Sequence, residues 1–178
     1  MKNICIGLFE GETLPESLAA FKDVKLDLEF GKITTIHTLN QLDCEKIVVV
    51  GLGDGKKNIK EAFSKVDADD YLVYVNENTA YAAGFGLVYG AYSYKETKVY
   101  DLESDGSTTE FEKGKTVASI VNHARELSDM PSNFLTPDHL MDEAKMVSEK
   151  YGMEIEVLNN DDLEELGAGA LLAVNQGS

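Results

Sequence analysis

A glycine-rich turn is the first group of residues that could do chemistry. Gly51, Gly53, Gly55 and Lys56 follow directly after an apolar run. Glycines at such a place can point backbone N–H groups at a phosphate. However, Lys56 stands where G-x-G-x-x-G requires its third glycine, and the Gly-Lys-Ser/Thr of a Walker loop is missing. The turn therefore favours a plain strand-to-helix connection over a phosphate site.

The histidines His37, His123 and His139 are the next candidates. None of them is part of an HExxH motif, and His123 and His139 fall on separate predicted helices. Metal ligation by this set has no motif behind it. We interpret the three as solvent-facing or hydrogen-bonded structural histidines.

Carboxylates are clustered in two places, at residues 67–70 and 161–165. A run of acidic residues is usually a solvated face, and Asp161 falls in the first turn of a predicted helix, where the helix dipole favours it. Neither cluster has a partnered base or nucleophile nearby in the sequence. We therefore predict no catalytic site in either cluster.

The two cysteines, Cys5 and Cys44, are far apart and form no CxxC motif. Neither has a histidine close by in sequence, and the chain carries no Gly-x-Ser-x-Gly elbow. Reduced, buried thiols are the favoured interpretation. Taken from the residues alone, the chain shows no catalytic, cofactor-binding or metal-ligating residue.

The net charge of the chain limits the classes of molecule that it can bind. Lys and Arg total 16 against 32 Asp and Glu, which gives a net charge of −16 over 178 residues. Such a surface repels a phosphate backbone and an anionic membrane face, so we predict neither nucleic-acid nor membrane binding. The apolar stretch at residues 4–9 is too short for a signal peptide. We predict a soluble, cytoplasmic protein.

The elements that would position any site alternate between strand and helix, which indicates an α/β layered fold. A strand that is apolar throughout, at residues 46–52, is typical of a sheet covered on both faces. Strands are predicted at residues 4–9, 32–39, 46–52, 71–75, 98–102 and 155–158. Helices are predicted at residues 14–21, 59–66, 79–94, 117–127, 136–151 and 160–166.

Two segments interrupt this alternation. Residues 103–114 are polar and predict a loop or a domain boundary, so we divide the chain into residues 1–112 and 113–178. Residues 170–174 are fully apolar and need neighbours on both sides. Without partner strands they would form an exposed apolar edge, and we expect self-association or a disordered C-terminal stretch.

The last third of the chain resembles the leucyl aminopeptidase (cytosol aminopeptidase) family. Residues 124–137, ARELSDMPSNFLTP, are similar to the family segment ARDLVNTPANxLTP, and residues 166–178 are similar to its LGMGALLAVxQGS run. Residues 48–53 and 84–95 are more loosely similar to the family's N-terminal domain. Asp129 and Met130 depart from the Asn and Thr that are common in the family.

The resemblance implies a three-layer α/β/α mixed-sheet domain, similar to the macro domain, at residues 1–112, and an incomplete α/β start of the catalytic domain at residues 113–178. The family enzyme removes N-terminal residues from peptides, with two divalent cations, Mn or Zn, and assembles as a homo-hexamer. The family's metal ligands and catalytic basic residues lie beyond the matching segments. The resemblance therefore implies no site residue or metal in this chain, which alone would be inactive and would position the enzyme in its oligomer. The alternative is a stand-alone macro-like module that binds a nucleotide or ADP-ribose.

Overall fold

The computed structural model describes residues 2–106 and 108–175. The chain divides into two compact units, Met1–Asp129 and Met130–Ser178, here called unit 1 and unit 2. No helix in the described parts of the chain combines the length and apolar character that crossing a membrane requires.

Unit 1 is built on a mixed five-stranded sheet, as far as the chain is described. The four strands β1, β3, β4 and β5 run parallel, and β2 pairs antiparallel with β3 at one edge. The predicted α/β fold with a mixed sheet is therefore confirmed. The strands, in the spatial order β2-β3-β1-β4-β5, are β1 (Asn3–Leu8), β2 (Ile33–His37), β3 (Lys46–Gly51), β4 (Tyr71–Tyr74) and β5 (Leu102–Asp105).

Both faces of the sheet are covered, which is why β1 and β3 are apolar after their first residues, Asn3 and Lys46. On one face, Val48 and Val50 pack under three helices: α1 (Ile59–Phe63), α2 (Ala80–Gly90) and α3 (Thr108–Asp129). On the other face, Ile47 and Val49 pack against Leu18 and Phe21 of a 3-10 helix, Glu16–Phe21. A full α-helix was predicted for this last segment. It is shorter because Pro15 stands at its N-cap and supplies no side-chain hydrogen bond.

Glycines let α2 approach its neighbours at backbone distance. A Cβ on Gly84 would overlap the carbonyl oxygen of Phe111, and a Cβ on Gly114 would overlap that of Tyr81. The glycines of α2 lower its intrinsic helicity but remove the side chain that would hold the helices apart.

The strand predicted at residues 98–102 and the loop predicted at 103–114 were wrong. Strand β5 begins only at Leu102, which is buried and pairs with Tyr71, and α3 already begins at Thr108. The segment is polar because β5 is an edge strand and the first turns of α3 have one solvated side. Phe111, which is fully buried, anchors this part of α3. The predicted boundary at residues 112 and 113 falls inside α3, whereas the compact unit extends to Asp129.

Unit 2 contains α4 (Pro137–Tyr151), α5 (Asn160–Glu165) and α6 (Gly169–Asn175). The helix predicted at residues 136–151 is confirmed, and α4 is capped at both ends. The Thr136 side chain accepts a hydrogen bond from the His139 N–H, and Gly152 ends the helix with φ 64°.

The strand predicted at residues 155–158 was wrong, because unit 2 has no strand for it to pair with within the described residues. The expected apolar edge at residues 170–174 is instead helical, in α6, although Leu171 and Val174 are exposed. Residues 176–178 of the predicted interrupted end lie outside the described residues. Self-association stays a prediction.

Candidate functional site

A crevice opens where β1 and β4 end. The chain from β1 to β3 passes over the face of the 3-10 helix, whereas the connections from β3 onward pass over the face of α1 and α2. The junction of β1 and β4 is therefore the point where the winding of the sheet changes direction, the usual place for a ligand in an open α/β sheet. The crevice has a volume of about 460 Å³.

Three polar side chains of this crevice, Glu12, Asn76 and Thr79, are paired within the protein. The Thr79 hydroxyl accepts a hydrogen bond from the Asn76 N–H at 3.0 Å, and the Asn76 side-chain oxygen accepts from the N–H of Asn78 at 2.9 Å. Glu12 is the charged residue of the lining, and its carboxylate accepts from the Phe9 N–H. With no Lys, Arg or His among the described lining residues, the crevice does not favour an anion. Sequence reasoning missed it, because only the strand order reveals it.

The turn at Gly51, Gly53, Gly55 and Lys56 is not an open cradle. The Gly51 N–H donates to the Lys32 carbonyl at 2.8 Å, and the Gly53 N–H donates to the Leu28 carbonyl at 3.0 Å. A phosphate would have to displace these backbone bonds before it could use the same N–H groups. The Lys56 ammonium is paired with Asp54 at 2.6 Å. This geometry fits the plain turn that the sequence favoured.

The three histidines lie on separate elements. His37 is exposed on β2, His123 is exposed on α3, and His139 lies near the start of α4. The His139 Nδ1 is 3.0 Å from the Phe134 carbonyl oxygen, a structural contact within unit 2. In the described part of the chain, no group of three or more His, Cys, Asp or Glu side chains is arranged to hold a metal ion.

The acidic clusters have structural partners. The Asp69 carboxylate forms an ion pair with Lys46 at 2.7 Å and accepts from the Asn3 side-chain amide at 3.0 Å. Partial burial alone would raise the pKa of Asp69, but this ion pair and the hydrogen bonds outweigh it and lower the pKa. In the second cluster, Asp162 forms a capping box with Asn159 at the start of α5.

Both thiols are free and buried. Burial raises the pKa of the Cys5 thiol to about 12, and burial next to Asp43 raises the pKa of Cys44. A nucleophilic cysteine needs the opposite shift, toward the thiolate. Neither cysteine is placed for catalysis.

The match to a known family model begins inside α3. The sequence model of the catalytic domain of the cytosol aminopeptidase family matches residues 122–178. The probable cytosol aminopeptidase of Exiguobacterium sibiricum is 36% identical over a region that covers 83% of this chain. The chain belongs to the cytosol aminopeptidase family. The resemblance of residues 124–137 and 166–178 is thereby confirmed.

The family relatives are considerably longer than this chain. It covers 36% of the Exiguobacterium sibiricum protein. It covers 45% of the probable cytosol aminopeptidase of Aromatoleum aromaticum, with 26% identity over 99% of this chain. It covers 37% of the corresponding protein of Alkaliphilus metalliredigens, with 28% identity. The chain therefore spans roughly two fifths of the length of these relatives.

Solved structures with the same fold include the bottromycin maturation enzyme BotP, both alone and in a complex with Mn. In each case the TM-score is 0.69, with 20% identity over 93% of this chain. The chain covers 40% of the Mn complex and 41% of the other structure. At this identity the likeness establishes the shared fold alone.

Proposed function

We propose that this chain works as the N-terminal portion of a leucyl-aminopeptidase-like metallo-exopeptidase that removes N-terminal amino acids from peptides. The observation that carries the proposal is the match of residues 122–178 to the family's catalytic domain. Unit 2 supports it, since its helices leave large apolar side chains exposed and bury only Ser148 among the described residues of α4. Such a surface is typical of part of a larger domain.

Two divalent cations, Mn or Zn, would belong to the longer enzyme, where they would activate a water and polarise the scissile carbonyl. The described residues do not fit a metal site. We assign no catalytic step to a metal in this chain and expect the chain by itself to be inactive. Residues 1–112, a macro-like domain in this proposal, would position the catalytic part in a cytoplasmic homo-hexamer.

The test is a pair of assays with leucyl-p-nitroanilide in the presence of Mn²⁺ or Zn²⁺. The chain alone should release no p-nitroaniline above the buffer rate. A chimaera in which this chain replaces the matched part of the Exiguobacterium sibiricum relative should be folded and active, and chelation of the metal should abolish its activity. The unaltered relative serves as the positive control.

Two outcomes would overturn the proposal. The first is metal-dependent hydrolysis by the purified chain alone. The second is a chimaera with native-like circular dichroism and cooperative unfolding but no activity. Light scattering of the active chimaera tests the assembly separately, because a monomeric active chimaera would remove the positioning role and leave the enzymatic assignment intact.

A further inference from the structure

A second cavity, which the aminopeptidase proposal does not use, lies within unit 1. It opens between the C-terminal end of α2, the segment 91–101 and the outer side of α3, and its volume is about 580 Å³. This volume lies in the range of about 300–1,000 Å³ that small-molecule sites occupy. We call it the lysine cleft, after Lys95, Lys98 and Lys115 in its lining.

The charge of the lysine cleft is opposite to that of the chain. Its lining has three lysines and one carboxylate, Glu126, in a protein with a net charge of −16, and the carboxylates of Glu112 and Asp129 bind Lys115 and Tyr92 at its margin. Lys98 is exposed and forms no ion pair or hydrogen bond with any described residue. Lys95 lies over the ring of Tyr94, at 5.2 Å from its centre. Like charges that converge on a cleft raise the local concentration of counter-ions, here of anions.

Lys115 is held in place on the wall of the cleft. Its ammonium group donates to the Leu102 carbonyl at 3.0 Å and to the Glu112 carboxylate at 2.9 Å, and its side chain is 27% exposed. An ammonium group has three N–H donors, so these two bonds leave one for a ligand. Glu112 balances part of this charge, and the remaining attraction for an anion comes mainly from Lys95 and Lys98.

Aromatic rings form a rigid apolar wall of the same cleft. The Tyr100 hydroxyl donates to the Leu87 carbonyl at 2.6 Å, and the Tyr92 hydroxyl donates to the Asp129 carboxylate at 2.6 Å. Because both hydroxyls are engaged, the two residues offer ring surface to a ligand, and in Tyr92 one face of the ring is already covered by the Arg125 guanidinium, 4.2 Å from its centre. Side chains fixed in this way lose little conformational entropy when a ligand binds.

We propose that the lysine cleft is a binding site for a small organic anion, a carboxylate or phosphate monoester with a compact apolar or aromatic body. The anionic group would lie among Lys95, Lys98 and the free N–H of Lys115. The apolar body would lie against Tyr92 and Tyr100. This inference is independent of the peptidase proposal, since every residue it uses belongs to unit 1.

The test uses phenyl phosphate as the anionic probe and phenol as its neutral counterpart. In ¹H–¹⁵N spectra of the full chain, phenyl phosphate should shift amides of residues 91–101 and of α3 in a saturable way, and phenol should bind much more weakly. Lys98→Gln should raise the Kd about threefold, and Lys115→Gln, whose charge Glu112 partly balances, about twofold. Glu126→Gln should lower the Kd about twofold, because it removes the opposing charge.

Lys22→Gln, on an exposed turn outside the cleft, is the matched control and should leave the Kd unchanged. Lys98→Gln changes an exposed side chain, so it remains informative even if Lys115→Gln disturbs folding. The proposal is overturned if no saturable shifts occur at residues 91–101, if phenol binds as tightly as phenyl phosphate, or if Lys98→Gln and Glu126→Gln both leave the Kd unchanged.

Discussion

Asn3 links three segments at the amino ends of the parallel strands. Its side-chain oxygen accepts hydrogen bonds from the N–H groups of Glu45 and Lys46, and its amide donates to the Asp69 carboxylate. Asp69 in turn pairs with Lys46. One buried amide therefore aligns the starts of β1, β3 and β4, and a cluster that looks in sequence like a solvated acidic run contains an alignment device.

The lowered pKa of Asp69 predicts how stability depends on pH. A carboxyl whose pKa is lower in the folded state than in the unfolded state stabilises the fold fully above its unfolded value, about 3.9. That contribution is lost as the pH falls through the folded pKa. Asp69→Asn should therefore reduce the free energy of unfolding by about 0.5–1 kcal/mol at neutral pH, and the difference from wild type should vanish in acid.

Urea unfolding at a series of pH values measures this difference. Asp23→Asn, on an exposed turn, is the control and should change the pH dependence little. An Asp69→Asn variant whose loss of stability stays constant from neutral pH down to the acid limit would show that the ion pair is not responsible.

A second single-residue prediction concerns Gly114 on α3, where a Cβ would overlap the carbonyl oxygen of Tyr81. Gly114→Ala should lower the free energy of unfolding by about 1–3 kcal/mol through overpacking, although alanine is the better helix former. Thr116→Ala, exposed on the same helix, is the control and should be neutral or slightly stabilising. Denaturant unfolding measures both variants, and a Gly114→Ala protein as stable as wild type would contradict the close packing.

The packing of α3 against α2 determines where unit 1 ends. Asn122 donates to the Val88 carbonyl at 2.8 Å, and the Arg125 guanidinium donates to the Tyr89 carbonyl at 3.1 Å. The guanidinium also lies over the rings of Tyr89 and Tyr92. These contacts satisfy carbonyls at the C-terminal end of α2 from the side of α3, so α3 completes the first unit even though the family's catalytic-domain match begins within it.

Phe111 anchors the first turns of α3 in the core of unit 1. Phe111→Ala should lower the free energy of unfolding of unit 1 by about 3–5 kcal/mol, because its ring is fully buried. Ile120→Ala, on the exposed side of α3, is the control and should lower the free energy of unfolding much less.

Truncated chains test where the unit ends. A chain of residues 1–129 should unfold cooperatively, and a chain of residues 1–112 should not. A cooperative fold in residues 1–112 alone would support the boundary predicted from the sequence.

Sequence patterns predicted those elements whose own residues determine them. The apolar run of β3 and the range of α4, which Thr136 and Gly152 cap, were predicted because burial and capping are local properties. The edge strand β5 was displaced in the prediction, because its register depends on a single buried residue, Leu102, that meets Tyr71 from another part of the chain. The two cavities could not be predicted at all, since strand order and helix packing create them.

The chain as a whole is uneven in stability. Unit 1 has two buried clusters, one on each face of its sheet. In unit 2, large apolar side chains of α4 are exposed, among them Leu140 at 51% and Tyr151 at 62%. Helices without a buried apolar face gain little from tertiary packing and are marginal in water.

Hydrogen exchange should show this contrast. Amides of α4, α5 and α6 should exchange rapidly through local opening, whereas those of β1 and β3 should exchange only on global unfolding.

The exposed apolar side chains of α6 give a second prediction for unit 2. Leu171→Gln combined with Val174→Gln should reduce self-association, measured by light scattering, because both side chains are exposed apolar groups. Leu39→Gln, which changes an exposed apolar side chain in unit 1, is the control. In the hydrogen-exchange experiment, equal protection of the amides of the two units would contradict the difference in stability between them.

The two buried clusters of unit 1 affect the order in which the chain folds during its synthesis. During synthesis, at about 5–20 residues per second, residues 1–129 leave the ribosome first and carry everything that their sheet and helices need. The residues of unit 2 emerge several seconds later, without a core of their own. In the nascent chain, unit 1 would thus be folded while unit 2 is still unfolded. The exposed apolar side chains of the unit 2 helices would be the segment to which chaperones bind.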